Sequence, residues 1–591
     1  MSLIRLTSPL ARTFYSTPFN KNAIKYQKLS SLLQKRTIVT HMETNQPKTF
    51  SNQNKIPRLP IPTLKETAER YKKSLLPLLS TSDYNQAVNA VDEFMKEGGF
   101  AEVLQERLQN VDKSEKYNWL ETIWLNKAYL EWRDPSLINV NWWVEFNDPA
   151  TGILKNPPPK GQISEFQIDR AAGLISNTLT FNDMINNELL PPETTRQGPL
   201  CMDQYTKQFG ATRIADFPAD RERVPIKEIK RQLISVADQV NGTKELQPPI
   251  GLLTGEHRDT WATARKKLES SSTVNKISIE AIDTALFCVA LDDYPLDQDI
   301  DISHHNNFHA YNGRNRWFDK AIQIIVANNG RGGVNGEHSP SDAVIPGRIF
   351  DYILSNEPAQ DLPNASPIVL LSPQYLKWDV DNSIMNTIQQ AQINIQAAID
   401  NVDSVLLHYT EYGADWLKKA KVSPDAFVQM AIQLAYYKHY NEPCATYESA
   451  SIRGFLHGRT ETVRTCSVDT VAFTKAFCDP SVKKEEKISL LMKAIESHIE
   501  YMKSATNATL FNDPSYIKSM YFKLSTSNMS PSPSFHCGYG AVVPDGYGVC
   551  YIIRNDKLKI SISSFKKCNE TDSSTFRKVL KASLDDLREL L

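Results

Sequence analysis

The tightest constraint on how this chain folds lies near its middle. There an apolar, β-branched run, Ala321-Ile322-Gln323-Ile324-Ile325-Val326, meets a glycine-rich stretch and then a helix-start signal. The run reads as a buried strand. Asn328-Asn329-Gly330 and Gly332-Gly333 read as the loop that ends it, since these residue types tolerate turn geometry. Ser339-Pro340-Ser341-Asp342 then offers a hydroxyl cap, a proline at the first helical position and an acid three residues after the cap. His338 thus falls at a strand–loop–helix junction, where a scaffold can hold a catalytic side chain stiffly. Alone, the same residues also describe an ordinary loop histidine beside a capping acid.

The 591 residues exceed what one hydrophobic core usually serves, so two domains are expected. A net charge of −1, with acids and bases interspersed, gives no basic footprint for nucleic acid. The eight cysteines (201, 288, 444, 466, 478, 537, 550 and 568) form no CxxC pairs and have no histidines at zinc spacing. That pattern argues against a disulfide framework and against a metal site, and it suits a reducing compartment. No apolar run is long enough to span a bilayer.

Residues 1–42 carry Arg5, Arg12, Lys21, Lys25, Lys28, Lys35 and Arg36, and the first acid is Glu43. This is a mitochondrial transit composition, and residues 1–50 read as transit peptide and linker. Met42 could start a shorter peroxisomal or cytosolic product, although the C-terminal Arg588-Glu589-Leu590-Leu591 is not an SKL-type address. Helical periodicity is read over residues 65–79, 84–108, 117–132 and 163–180, with strands near 141–146, 285–291 and 367–371. A long helical pattern over 380–409, with Ile393, Ile395, Ala398, Val402 and Leu406 among its apolar positions, opens the second half. The domains are accordingly placed at 51–385 and 386–591.

Several blocks, in order from about residue 56 onward, resemble the carnitine/choline acyltransferase family. They are Pro57-Arg58-Leu59-Pro60-Ile61-Pro62, Pro199-Leu200-Cys201-Met202-Asp203-Gln204-Tyr205, Asn315-Arg316-Trp317-Phe318-Asp319-Lys320 and Val334-Asn335-Gly336-Glu337-His338. Further on come Ser423-Pro424-Asp425, Tyr447-Glu448-Ser449, Gly458-Arg459-Thr460-Glu461-Thr462-Val463-Arg464, Ser525-Thr526-Ser527 and Val543-Pro544-Asp545-Gly546-Tyr547-Gly548. The resemblance implies two α/β, chloramphenicol-acetyltransferase-like domains, each a mixed sheet with flanking helices, and an active-site tunnel between them.

It also implies an enzyme that moves an acetyl or other short acyl group between coenzyme A and the hydroxyl of carnitine. No cofactor is then bound permanently; acetyl-CoA and coenzyme A are co-substrates, and a monomer is expected. An alcohol is a poor nucleophile at neutral pH, so a base is needed. The resemblance gives that role to His338, the orienting role to Asp342 and oxyanion stabilisation to Ser527. For coenzyme A it implies Lys418, Lys419, Ser423, Asp425 and Asn528, with Ala414 where the family has a second lysine. For carnitine it implies Tyr447, Ser449, Thr460, Ser525 and Tyr539, and Cys537 becomes the gate on acyl length.

Thr460-Glu461-Thr462 follows the carnitine rather than the choline pattern. Between His498 and Ser525, however, the chain is shorter than the family pattern and lacks its arginine for the carnitine carboxylate. Either Lys503 or Lys518 substitutes, or an exon-sized piece is missing from this sequence, or tight carnitine binding is lost. The alternatives are an enzyme for longer acyl chains and a catalytically weak CoA-binding protein.

Overall fold

The computed structural model describes residues 47–213, 226–241, 247–359, 372–504, 518–530 and 534–591. The transit segment, Met42 and the strand read at 367–371 lie outside them. Residues 48–591 form one compact unit.

Thirteen strands are described. In the first half they are β1 (Trp142–Phe146), the two-residue ribbon strands β2 (Thr194–Thr195) and β3 (Gly198–Pro199), β4 (Cys288–Asp292), β5 (Gln323–Ala327) and β6 (Gly332–Gly336). In the second they are β7 (Val402–Tyr409), β8 (Thr446–Ser451), β9 (Thr460–Val463), β10 (Leu524–Asn528), β11 (Phe535–Tyr539), β12 (Tyr547–Ile553) and β13 (Leu558–Phe565). They build a five-stranded sheet, β11-β1-β6-β5-β4, and a six-stranded sheet, β7-β13-β12-β10-β8-β9. Both are mixed: β4 and β5 pair parallel in the first, and β12, β10 and β8 run parallel in the second. β11 comes from the far end of the chain, so the first sheet draws on both sides of residue 385.

β5 is buried along its whole length, as its unbroken apolar run predicts. One face of this sheet packs Phe146, Ile324 and Val326 against Ile349 and Phe350 of helix Val344–Ser355. The other packs Trp143 against Phe308 of helix Ile300–His309, Trp261, and Ile388 and Ile395 of helix Asn382–Asn401. Helix Pro424–Tyr440 is buried without a break from Ala426 to Tyr436; Gln429 bonds it to Thr526 and Tyr551 of the six-stranded sheet, and it packs beside helix Ser573–Leu590, which lies against β7 and β13. Ser423 stands at its N-cap position, without a side-chain capping bond, and Pro424 falls in the first turn, as read from the sequence.

Three sequence expectations are corrected. Gly332–Gly336 is not a loop but β6, a buried central strand between β1 and β5. Its glycines serve close packing: a Cβ at Gly336 would lie 2.2 Å from the Trp142 ring, and one at Gly333 would lie 2.3 Å from the Val144 carbonyl oxygen. The helix signalled at Ser339 starts only at Val344, because other side chains claim the polar groups of residues 338–342. The helical pattern over 380–409 is a helix to Asn401 and then β7. Apolar residues four apart, such as Val402 and Leu406, fit a period of 3.6 and a period of 2 equally well, which conceals the switch.

Candidate active site

The sheets enclose a cavity of about 520 Å³ that His338 lines. One wall comes from the first sheet and the loop after β6. Glu337 turns that loop by accepting hydrogen bonds from the Ser339 backbone N–H at 3.0 Å and the Ser339 hydroxyl at 2.5 Å. Arg459 then fixes it from outside: Nη1 donates to the Ser339 carbonyl at 2.7 Å, Nη2 to the His338 carbonyl at 3.2 Å and Nε to Asp342 Oδ1 at 3.1 Å. Gln204 binds Asp342 twice, donating to Oδ2 at 3.1 Å and accepting from its backbone N–H at 2.8 Å. These bonds occupy the groups that a helix starting at Ser339 would need.

The His338 ring stacks on Tyr129, with centroids 5.1 Å apart, and the Arg459 guanidinium lies 5.3 Å from the centre of the same Tyr129 ring. Tyr129 belongs to a π-helical turn, Asn126–Leu130, that follows helix Glu121–Leu125. Burial lowers the proton affinity of His338 below the ordinary value of 6.5; the Asp342 charge pulls the other way and Arg459 reinforces the drop. The net direction is down, so the imidazole is neutral near pH 7 and free to accept a proton. Asp342 thus acts on His338 through its charge, while its oxygens bind Arg459 and Gln204.

The opposite wall is a ladder of hydroxyls set by strand alternation. Parallel pairing puts Ser525 opposite Tyr447, and antiparallel pairing puts Ser449 opposite Thr462 and Ser451 opposite Thr460. Alternate residues Tyr447 and Ser449, Thr460 and Thr462, and Ser525 and Ser527 therefore line the cavity together. Glu448 and Thr526, which fall between them, are buried, and their polar groups accept from Thr465 and from Gln429. Ser449 Oγ donates to Ser527 Oγ at 3.3 Å, which leaves the Ser527 proton available for another acceptor. Tyr539 and Cys537, on β11, close the end of the chamber, and the Tyr539 hydroxyl donates to the Ser525 carbonyl at 2.9 Å.

The residues expected to hold coenzyme A lie outside this lining. Lys418 and Lys419 are exposed on the short helix Ala414–Lys419. Asp425 starts helix Pro424–Tyr440, and its Oδ1 accepts from Asn528 Nδ2 and from the Tyr551 hydroxyl, each at 2.7 Å. Asn528 follows Ser527, so the N-terminus of this helix, a natural seat for anions, adjoins the hydroxyl wall. Lys518 is exposed, and the Lys503 side chain lies outside the described residues.

Among the described residues, two clusters could hold a metal ion by geometry. Glu121, Asp203 and His457 are already bridged by Lys207, 2.9 Å from Glu121 and 2.6 Å from Asp203. Asp425, Glu448 and His498 form the other, behind the hydroxyl wall, where burial and then Asp425 push the Glu448 carboxyl well up.

Tyr129, Trp124, Gln204 and Arg459 received no role from the sequence. Gln204 and Arg459 stood inside blocks already singled out, but their neighbours along the chain, Asp203 and Tyr205, Gly458 and Thr460, carry no signal that marks them.

A family model described as choline/carnitine O-acyltransferase matches residues 59–225 and 218–582. Carnitine O-acetyltransferase of Rattus norvegicus is 32% identical over 92% of this chain and 94% of its own length. The Homo sapiens protein of that name gives the same identity and coverage. Choline O-acetyltransferase of Homo sapiens is 30% identical over 91% of this chain and 80% of its own.

Proposed function

Because the chain belongs to the choline/carnitine O-acyltransferase family, we propose that it transfers a short acyl group, acetyl foremost, between coenzyme A and the hydroxyl of carnitine. The observation that carries this reading is the chamber in which neutral, half-buried His338 shares a space with the hydroxyls of Tyr447, Ser449, Thr460, Thr462, Ser525 and Ser527.

In the forward direction His338 takes the proton from the acceptor hydroxyl as that oxygen attacks the thioester carbonyl. The imidazolium formed is stabilised by the Asp342 charge. The carbonyl oxygen becomes an oxyanion, and the free Ser527 proton is placed to donate to it. Collapse of the tetrahedral species expels the thiolate of coenzyme A, which His338 reprotonates. The same steps run backward from an acyl ester and a thiol, and no cysteine nucleophile is required. Lys418, Lys419 and the N-terminus of helix Pro424–Tyr440 supply positive charge for the phosphates of coenzyme A. Cys537, bulkier than glycine, shortens the acyl space.

A second acceptor has support of its own. Among the described residues, the lining holds many aromatic rings, Asp342 and no lysine or arginine. That suits a cationic alcohol without a carboxylate, such as choline.

The test is release of free coenzyme A from acetyl-CoA with carnitine or choline as acceptor. The proposal expects carnitine to give the higher kcat/KM and His338→Ala to abolish turnover with either. Preference for choline would reassign the acceptor, and unchanged turnover in the variant would remove His338 as base. Octanoyl- and palmitoyl-CoA in the same assay read the acyl length.

A further inference from the structure

Cys537 and Cys550 both line the cavity, and their sulfurs lie 3.3 Å apart, inside van der Waals contact. Nothing along the chain couples the two positions, since β11 and β12 belong to different sheets. Cys537 pairs with Val144 of β1, whereas Cys550 stands in register with Ser527 of β10. The Ser561 hydroxyl ties the two backbones together, donating to the Cys537 carbonyl at 2.7 Å and reaching the Cys550 carbonyl at 3.5 Å. The sulfurs are therefore held face to face across the seam between the sheets. A disulfide needs them only about 1.3 Å closer, within reach of side-chain rotation.

We propose that Cys537 and Cys550 are a modification site, a dithiol that a peroxide entering the acyl chamber oxidises to an intramolecular disulfide.

Cys537, on the end wall of the chamber, reacts first. Its sulfur bonds to one peroxide oxygen, the O–O bond breaks, and the departing hydroxide takes the thiol proton to leave as water. The sulfur of Cys550 then attacks the sulfenic sulfur; the S–S bond forms, the S–O bond breaks, and a second water carries off the remaining proton. Two thiols lose two electrons, and one peroxide gains them. Contact with the Cys537 sulfur, and then burial, push the Cys550 thiol well above its ordinary value, so it stays protonated until Cys537 has reacted. The bond would join the acyl-gate position to β12, the strand paired with the one that carries Ser527, and draw β11, with Tyr539, toward it. Displacements of about 1 Å at a reacting centre can cost on the order of 100-fold in rate. The effect on turnover rests on the acyl-transfer reading; formation of the bond does not.

The full chain is treated with hydrogen peroxide, free thiols are alkylated, and the digest is read by mass spectrometry beside the acetyl-transfer assay. The proposal expects a cross-linked peptide pair carrying Cys537 and Cys550, reversed by dithiothreitol. It also expects a drop of about tenfold in turnover that reverses with the cross-link. In Cys550→Ser both the cross-link and the reversible component of the loss disappear. Cys537→Ser serves the same purpose if that protein does not fold, and the wild-type digest needs no variant. Absence of the linked pair, or oxidation of Cys537 to a sulfinic acid with Cys550 free, overturns the site. A cross-link with unchanged turnover overturns its control of the chamber. If no acyl transfer is seen under any condition, the peptide pair still decides this question separately from the proposed function.

Discussion

The two walls of the chamber are built on different principles. On one, His338 leaves the end of β6 on an irregular loop, and buried polar side chains hold it: Arg459 and Gln204 from distant parts of the chain, and Glu337 from the loop itself. On the other, Tyr447, Ser449, Ser525 and Ser527 need only the alternation of β8 and β10 and their parallel register. The hydroxyl wall is local geometry repeated, and loss of one member leaves the rest in place. The histidine wall is a network, so damage to one member spreads.

The proposed roles turn that contrast into graded effects. His338→Ala should lower kcat by about 10⁴-fold, the upper end for a general base, with the fold intact by circular dichroism. Arg459→Ala leaves Asp342 charged and buried without its partner, so urea unfolding should show a loss of about 3–5 kcal/mol. A loss under 1 kcal/mol there would show that the histidine wall is not a network. Ser527→Ala, on the other wall, should lower kcat by about 100-fold while leaving the denaturation midpoint nearly unchanged. Gly336→Ala drives a methyl group into the Trp142 ring and should cost about 2 kcal/mol of stability.

The smallest effect is on pH. Only the histidine wall carries the proposed base, and its lowered proton affinity sets the acid limb of kcat/KM for the free enzyme below pH 6.5. Asp342 raises that affinity, so Asp342→Asn should move the limb further toward acid; a move toward neutral pH would contradict the assigned sign.

Parts of this arrangement were legible in the residues. The apolar run around Ile324 and Ile325 announced a buried strand, and Ser423-Pro424-Asp425 announced a helix start; both signals are local and nothing competes with them. Ser339-Pro340-Ser341-Asp342 carried as good a start signal and failed, because Arg459 takes the carbonyls and Gln204 takes the Asp342 backbone N–H. Glycines 332, 333 and 336 read as a turn because their use, admitting Trp142 and Asn307, depends on residues far away in sequence. The paired hydroxyls at 447 and 449 and at 525 and 527 already had the spacing of one strand face, but not the register that sets them side by side.

By itself the sequence determined the fold class, the family and the polar residues at the heart of the chamber, because propensity, alternation and motif content are carried by neighbours along the chain. Tertiary structure decided how those residues meet. It brought Arg459 under His338, set β11 beside β1 across most of the chain's length, and put Cys537 against Cys550. Each of these is a contact between segments that no local period couples, and only the packing of the two sheets fixes the distances between them.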